Sequence, residues 1–380
     1  MKVLIIAGGF YPAKKYGGPV VSIDNMCSLF KDDMELFVIA KNHDLGEHKI
    51  LQGISDGWNL RGNCKVYYLD KDEYNTEAFY KIYKYVLPDF IYINSLFSAK
   101  LTLPFLKLCK KEKCHALLAP RGQLCTGAFK KKYKKIPYIV YLKLFGLLKE
   151  VYFQSTSDEE SRAISKYLSV NKGKIFLLSN IPSIPMQGFS MNKKKCSSGN
   201  FVFLARIHPK KNLIGAISYL SNIKGNVNFD IYGPVEDKKY WNECKSRIKE
   251  LNSNVRVNYC GLVSHDKVHE TFSKYDAFLF PTFSENFGHV IAESLIVGTP
   301  VIISNQTPWN DVKDAHAGFV CSLENENEFV DSIQKIIDLP YDEYIKFRID
   351  TKKYAISKLD IDKLKKQYES CFKKVIGDKS

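Results

Sequence analysis

The chain has 380 residues, 45% hydrophobic and 26% charged, which excludes an intrinsically disordered protein and allows a sizeable core. At roughly 150 residues per domain the length predicts two domains, and no window holds the roughly 20 apolar residues that a membrane-spanning helix needs. The net charge of +15 favours anionic partners such as nucleic acid, phospholipid head groups or phosphorylated substrates.

Short apolar runs at 3–7, 36–40, 90–94, 116–119 and 151–154 predict buried strands, and amphipathic stretches at 20–31, 76–86 and 101–113 predict helices between them. Strands alternating with helices imply βαβ units and a parallel sheet. The pattern stops between 180 and 200, where Pro182, Pro185, a lysine run and Ser-Ser-Gly read as a linker. It then resumes, with strands predicted at 201–205, 228–232, 255–259, 277–281 and 301–304, and helices at 213–222, 239–251, 266–275 and 288–297. The predicted fold class is α/β: two Rossmann-like doubly wound parallel-sheet domains facing a cleft, 1–190 and 191–355, followed by a helical segment at 356–380. Ligands of such sheets bind beyond the carboxyl ends of the strands.

Charge and cysteines refine this outline. Residues 1–190 carry 28 Lys+Arg against 17 Asp+Glu, and residues 191–380 carry 28 against 24. Between 107 and 149 stand 12 basic residues and one acid, Glu112. The ten cysteines are scattered singly with no C-x-x-C pair, so a zinc or thioredoxin-type site has no support. The 3–7 run is too short for a signal peptide, so the thiols are expected to stay reduced in a cytosol. His265 and His269 stand four apart with no third ligand in view, and are read as surface helix residues. No Asp-x-Asp pair stands in a donor-binding context; Asp70-Lys-Asp72 lies in a charged loop of the first half. No metal site is expected.

Three segments could carry chemistry. In 281–301 a predicted strand ends at Pro281, Glu285 follows in a polar loop, and Gly288 opens a helix containing Glu293. Amides at a helix start suit anionic or hydroxyl-rich ligands, and carboxylates accept from sugar and ribose hydroxyls. The spacing alone also fits an exposed helix acid and an ordinary N-terminal acid. In 203–212, Arg206 and Lys211 stand just past a predicted strand, where two cations can neutralise a diphosphate; surface lysines at a turn are the alternative. Gly17 and Gly18 lie between the first strand and the first helix, without the spacing of a dinucleotide fingerprint.

These segments resemble family 4 retaining glycosyltransferases, of GT-B architecture. The 281–301 run resembles the family's E-x7-E signature followed by small-Gly-x-Pro-Val, and 206–211 resembles its R-x4-K element. Gly17 and Gly18 resemble its N-terminal glycine loop, where backbone amides approach a phosphate. The resemblance implies that Glu285, Asn286, Phe287 and Gly288 hold the donor sugar, and that Glu293 holds the ribose. Arg206 and Lys211 would stabilise the leaving diphosphate, and Leu262 joins Gly17 and Gly18 on the donor side. It also implies that the segment at 360–376 packs back on the first domain. Pro120-Arg121-Gly122 resembles an element of a bacterial surface-polysaccharide subgroup, which places Arg121, with Asn94 and Ser95, on the acceptor side. Two departures stand out: the His that many relatives carry after the fourth strand is replaced by the Tyr92-Ile-Asn94-Ser95 region, and the linker lacks the Gly of P-N-G at Ile181.

The activity implied by this resemblance is transfer of a sugar, with retention, from a nucleoside-diphosphate sugar to a glycan acceptor. The acceptor is expected to be lipid-linked, in O-antigen or capsule synthesis, and the reaction independent of metal and of any other cofactor. The expected location is cytoplasmic, peripheral on the inner face of the membrane. The lysines of 130–135 beside the apolar run 136–148 suit an anionic membrane surface; a buried core helix is the alternative for 136–148. Rival readings are a sugar-nucleotide epimerase of the same architecture, a nucleic-acid-binding protein and a nicotinamide oxidoreductase. No nucleic-acid partner is expected, since the basic cluster carries no RRM, KH or zinc-finger pattern.

Overall fold

A computed structural model describes residues 1–13, 15–70, 73–125, 129, 132–185 and 197–377, with Lys132 and Lys134 described in their backbone alone. Lys130, Lys131, Asp72, Cys196 and most of the expected linker therefore lie outside the described residues. The chain divides into two compact units, Met1–Ile181 with Ile361–Ser380, and Pro182–Asp360.

The first unit begins with β1 (Lys2–Ile6), α1 (Gly18–Leu29), β2 (Glu35–Lys41), β3 (Trp58–Arg61), β4 (Cys64–Leu69) and α2 (Thr76–Val86). It continues with β5 (Phe90–Ile93), α3 (Ala99–Glu112), β6 (Ala116–Leu118), α4 (Lys132–Leu144), β7 (Val151–Ser155), α5 (Asp158–Leu168) and β8 (Ile175–Leu177). The sheet order is β3-β4-β2-β1-β5-β6-β7-β8. All pairs are parallel except β3 with β4. Central strands such as β5 and β6 are buried at every residue, as expected of a parallel sheet covered on both faces.

The second unit contains β9 (Ser198–Leu204), α6 (Leu213–Tyr219), β10 (Asn226–Tyr232), α7 (Lys238–Lys249), β11 (Val255–Gly261), α8 (Val268–Ser273) and β12 (Ala277–Phe280). After these come α9 (His289–Ile296), β13 (Val301–Ser304), β14 (Gly318–Cys321), α10 (Glu326–Asp338) and α11 (Tyr341–Leu359). Its sheet is wholly parallel, in the order β11-β10-β9-β12-β13-β14. Two doubly wound parallel-sheet units are thus the fold that the alternating pattern predicts.

The chain ends in α12 (Ile361–Ile376), which is part of the first unit. Its Leu364, Tyr368, Cys371, Phe372 and Val375 are buried, and the Phe372 ring lies 5.1 Å from that of Phe90 and 5.5 Å from that of Phe30. One buried cluster gathers α1 and α12 against β1 and β2; the other gathers the residues of α2, α3, α4 and α5 on the opposite face.

In each unit the strand order reverses at one place: β1 lies between β2 and β5, and β9 between β10 and β12. Such switch points open a crevice at the carboxyl ends of the strands. The loops after β1 and β5 carry Gly17, Asn94 and Ser95; those after β9 and β12 carry Arg206, Lys211 and Glu285.

Candidate functional site

The loops leaving β9 and β12 are tied together by backbone geometry. Phe283 donates its amide to the Lys210 carbonyl at 2.9 Å, and the Asn212 side chain donates to the Pro281 carbonyl at 3.0 Å. Lys211 sits at the end of a single tight turn, Pro209–Lys211, before Asn212 caps α6 by accepting from the Gly215 amide. This arrangement brings Lys211 Nζ onto the Glu285 carboxylate in an ion pair. The two side chains are only 13% and 15% exposed, so the pair is shielded from most of the solvent screening that weakens surface pairs. The Lys211 ammonium also lies 5.4 Å from the Phe280 ring centre.

Beyond Glu285 the chain turns into α9. Gly288 takes φ +77°, and a Cβ there would stand 2.9 Å from Ile291 Cδ1, so conformation and space both call for glycine. No side chain caps α9. The positive end of its dipole therefore suits an anion or a hydroxyl group. The Phe287 carbonyl accepts from Trp309 Nε1 at 2.5 Å, and the Phe287 ring packs 4.7 Å from His289 and 5.9 Å from Trp309. Buried Trp309 thus fixes the loop that Glu285 and Asn286 stand on. Asn286 itself is exposed.

Glu293 occupies the second turn of α9 and is 3% exposed, not an exposed helix acid. Its carboxylate accepts from Ser183 Oγ at 3.1 Å and lies 3.8 Å from His265 Nε2. Ser183 Oγ is also 3.4 Å from His269 Nε2. Burial raises the Glu293 pKa, with the nearby His265 and the Ser183 bond acting the other way. Burial, and then the charge of His265, push the His269 pKa down to about 4. His269 is therefore no surface helix residue: it is 7% exposed, because α8 packs on α9 and Ser183 lies against the imidazole. Ser183 and Trp309 are site residues that the sequence reading does not single out, and His269 is one that it placed on the surface.

Arg206 and Leu262 stand apart from this cluster of contacts. Arg206 donates to Glu236 at 2.6 Å in a pair about 40% exposed, and Leu262 is 52% exposed just past β11. Among the described residues no three His, Cys, Asp or Glu side chains group as metal ligands.

In the first unit, Arg121 has φ +57°, and its guanidinium is committed to protein acceptors. Nε donates to Asn94 Oδ1 at 2.6 Å, one terminal nitrogen to Tyr92 Oη at 2.8 Å and the other to Asn180 Oδ1. Tyr92 donates to Gln154 at 2.6 Å, and Gln154 donates to Tyr368 Oη of α12 at 2.7 Å. This layer joins the carboxyl ends of β5, β6 and β7 to α12. Ser95, at φ 150°, is held by Gln123, whose side-chain oxygen also accepts the Leu96 amide at 3.0 Å. Gly17 takes φ +64° as α1 begins at Gly18, and no side chain caps that helix. The Tyr16 ring lies on Gly9, where a Cβ would meet it at 2.2 Å. Burial, aided by Asp44, raises the Tyr16 pKa to about 12.

Comparison with known proteins gives the same outline. Residues 191–358 match the family described as Glycosyl transferases group 1. An uncharacterized 41.2 kDa protein in the cps region of Klebsiella pneumoniae is 25% identical over 272 residues, 66% of this chain and 70% of that protein. Among solved structures, Anabaena Alr3699/HepE in complex with UDP and glucose superposes with a TM-score of 0.73 at 13% identity, covering 98% of this chain and all of that one. WaaG, a glycosyltransferase involved in lipopolysaccharide biosynthesis, gives a TM-score of 0.64 at 13% identity, covering 99% of this chain and 100% of that one.

Proposed function

We propose that this chain, which carries a glycosyltransferase group 1 domain over residues 191–358, is a family 4-type retaining glycosyltransferase of the GT-B fold that takes a nucleoside-diphosphate sugar as donor. The observation that carries the proposal is the shielded Lys211–Glu285 pair beside the uncapped start of α9, at the switch point of the second sheet. A diphosphate is the natural competitor for Lys211. Once its phosphate oxygens take over the ammonium, the Glu285 carboxylate is released to accept from sugar hydroxyls. The amides around Gly288 then complete the sugar site, and Glu293 accepts from the ribose. Charge builds on the leaving diphosphate as the glycosidic bond breaks, and Lys211 and Arg206 meet that charge with fixed cations. For this reason the reaction is proposed to need no metal: activity in excess EDTA should match the untreated rate. Gly17 and Gly18 are assigned to the donor phosphates, and Asn94, Ser95 and Arg121 to the acceptor side, with Arg121 acting through the loop it holds.

The similarity to HepE with bound UDP makes UDP-sugars the first donors to try. The cps-region relative and WaaG favour a surface-polysaccharide acceptor, here proposed to be lipid-linked. A panel of UDP-, GDP- and ADP-sugars, read by nucleoside-diphosphate release with and without lipid-linked glycan, tests the reading. The anomeric proton coupling of the product tests retention. Epimerisation of a donor with no acceptor-dependent product would replace the proposal with the epimerase reading.

A further inference from the structure

We infer that the outward face of α4, with the lysine-lined hollow beside it, docks the first unit onto an anionic phospholipid surface. Helix α4 buries one side, through Ile139 and Leu142. At 3.6 residues per turn the opposite side is formed by Tyr133, Ile136, Val140 and Leu144. These are not polar, as a solvated face would be: they are 70%, 44%, 45% and 79% exposed, and Phe145 beyond the helix end is 54% exposed. A contiguous apolar stripe of this kind marks an interaction surface rather than ordinary scatter.

The surroundings identify the partner. Along one flank, Lys107, Lys110 and Lys111 of α3 join Tyr141, Phe145 and Leu147 around a hollow of about 360 Å³. The partners of these lysines are uncharged: Lys110 donates to the Phe145 carbonyl at 2.8 Å, Lys107 lies 5.9 Å from the Tyr141 ring and Lys111 lies 5.0 Å from the Tyr80 ring. On the other flank Lys143 donates to Ser169 Oγ at 2.9 Å. The nearby acid, Glu112, is paired with Lys84 at 3.0 Å, and α4 contains no Asp or Glu. Apolar and aromatic side chains rimmed by uncompensated lysines match a bilayer interface, where the stripe meets acyl chains and the ammonium groups meet phosphates. A second copy fits poorly, since a two-fold contact would set these lysines against their own images. The lysines at 130–135, from which the sequence suggested membrane binding, are not needed for this surface.

The test is sedimentation of the full chain with phosphatidylcholine vesicles, with and without phosphatidylglycerol, over a range of salt. The wild type should bind the anionic vesicles and not the neutral ones. Each lysine contributes roughly fivefold near such a surface, so Lys110→Glu with Lys111→Glu should lower partitioning at least roughly twentyfold. Val140→Asp with Leu144→Asp should lower it by about tenfold or more at every salt concentration, through the lost apolar contact. Both pairs are exposed, and far-UV circular dichroism should match the wild type. Three results would each overturn the inference: wild-type protein that ignores anionic vesicles, full binding by the Val140/Leu144 variant, or a solution dimer that this variant dissolves. None of these residues belongs to the proposed donor site, so nucleoside-diphosphate release from free donor should be unchanged in both variants, and a failure here leaves that reading standing.

Discussion

Lys211 and Glu285 offer a perturbation whose effects on stability and on chemistry separate. Replacing Lys211 with Met leaves the Glu285 carboxylate largely shielded and without its cation; Glu285→Gln does the converse. Breaking a buried pair from one side costs about 3–5 kcal/mol. With 13% and 15% of the two side chains exposed, residual solvent brings the expected loss to about 1–3 kcal/mol for each single variant. The double variant carries no unpaired charge, so most of that loss should return, giving a coupling of about 2–5 kcal/mol in a double-mutant cycle. Activity should behave differently. Losing one charge-stabilising group costs about 10²–10³ in rate, and the double variant should be no better than the worse single one. Urea denaturation measures the first cycle and nucleoside-diphosphate release the second. If activity returned with stability in the double variant, the pair would be a structural ion pair and the site assignment would fall. Near-wild-type turnover in either single variant would do the same.

Three further outcomes are expected. The His269 pKa is pushed down to about 4 from an ordinary 6.5, so the unfolded chain binds the proton first; stability from this residue is present above about pH 6.5 and is lost as pH falls toward 4, by on the order of 2–3 kcal/mol. The raised Glu293 pKa slopes the opposite way, so the measurement is the difference between wild type and His269→Gln in denaturation curves over that window, and identical slopes would refute the assignment. Fully buried Arg348 donates to the Gly298, Tyr275 and Ser273 carbonyls and to Thr299 and Tyr344; Arg348→Leu strands these acceptors and should cost at least about 4 kcal/mol, seen as early unfolding in urea, whereas a loss under about 1 kcal/mol would contradict the network. Ser183→Ala removes the hydrogen bond that orients Glu293 and should lower kcat/KM for the donor roughly tenfold, mainly through KM; unchanged steady-state constants would leave Ser183 with no positioning role.

Most of the parallel strands were legible as short apolar runs bounded by polar or turn residues, but β8 and β14, with three and four residues, were not read from the sequence. The hairpin formed by β3 and β4 was not: at the sheet edge only alternate positions are covered, and Trp58-Asn-Leu-Arg61 reads as a loop. Helix α5 was missed as well, although Ser157 caps it by accepting from the Glu160 amide and acids crowd its first turn. Within the candidate site, Glu285, Gly288 and Glu293 could be picked out because they lie within one strand–loop–helix unit. Nothing local announces that Lys211 reaches Glu285 across 74 positions, that Arg206 turns to Glu236, or that Ser183 reaches Glu293. Those pairings arise from β9 lying between β10 and β12 and from the chain entering the second unit at Pro182, which are properties of the fold. For α4, the sequence offered an apolar run at 136–148, membrane-facing or a buried core helix, without saying which side the core would claim; Ile139 and Leu142 went inward, leaving an equally apolar stripe outside.

The central claim is that the second unit binds a nucleoside-diphosphate sugar through the Lys211–Glu285 loops, and a crystal structure of the protein soaked with its preferred nucleoside diphosphate tests it most directly. The account predicts phosphate oxygens within hydrogen-bond distance of Lys211 Nζ, Glu285 parted from Lys211, and the ribose on Glu293. A nucleotide bound elsewhere, with the Lys211–Glu285 pair still closed, would contradict it.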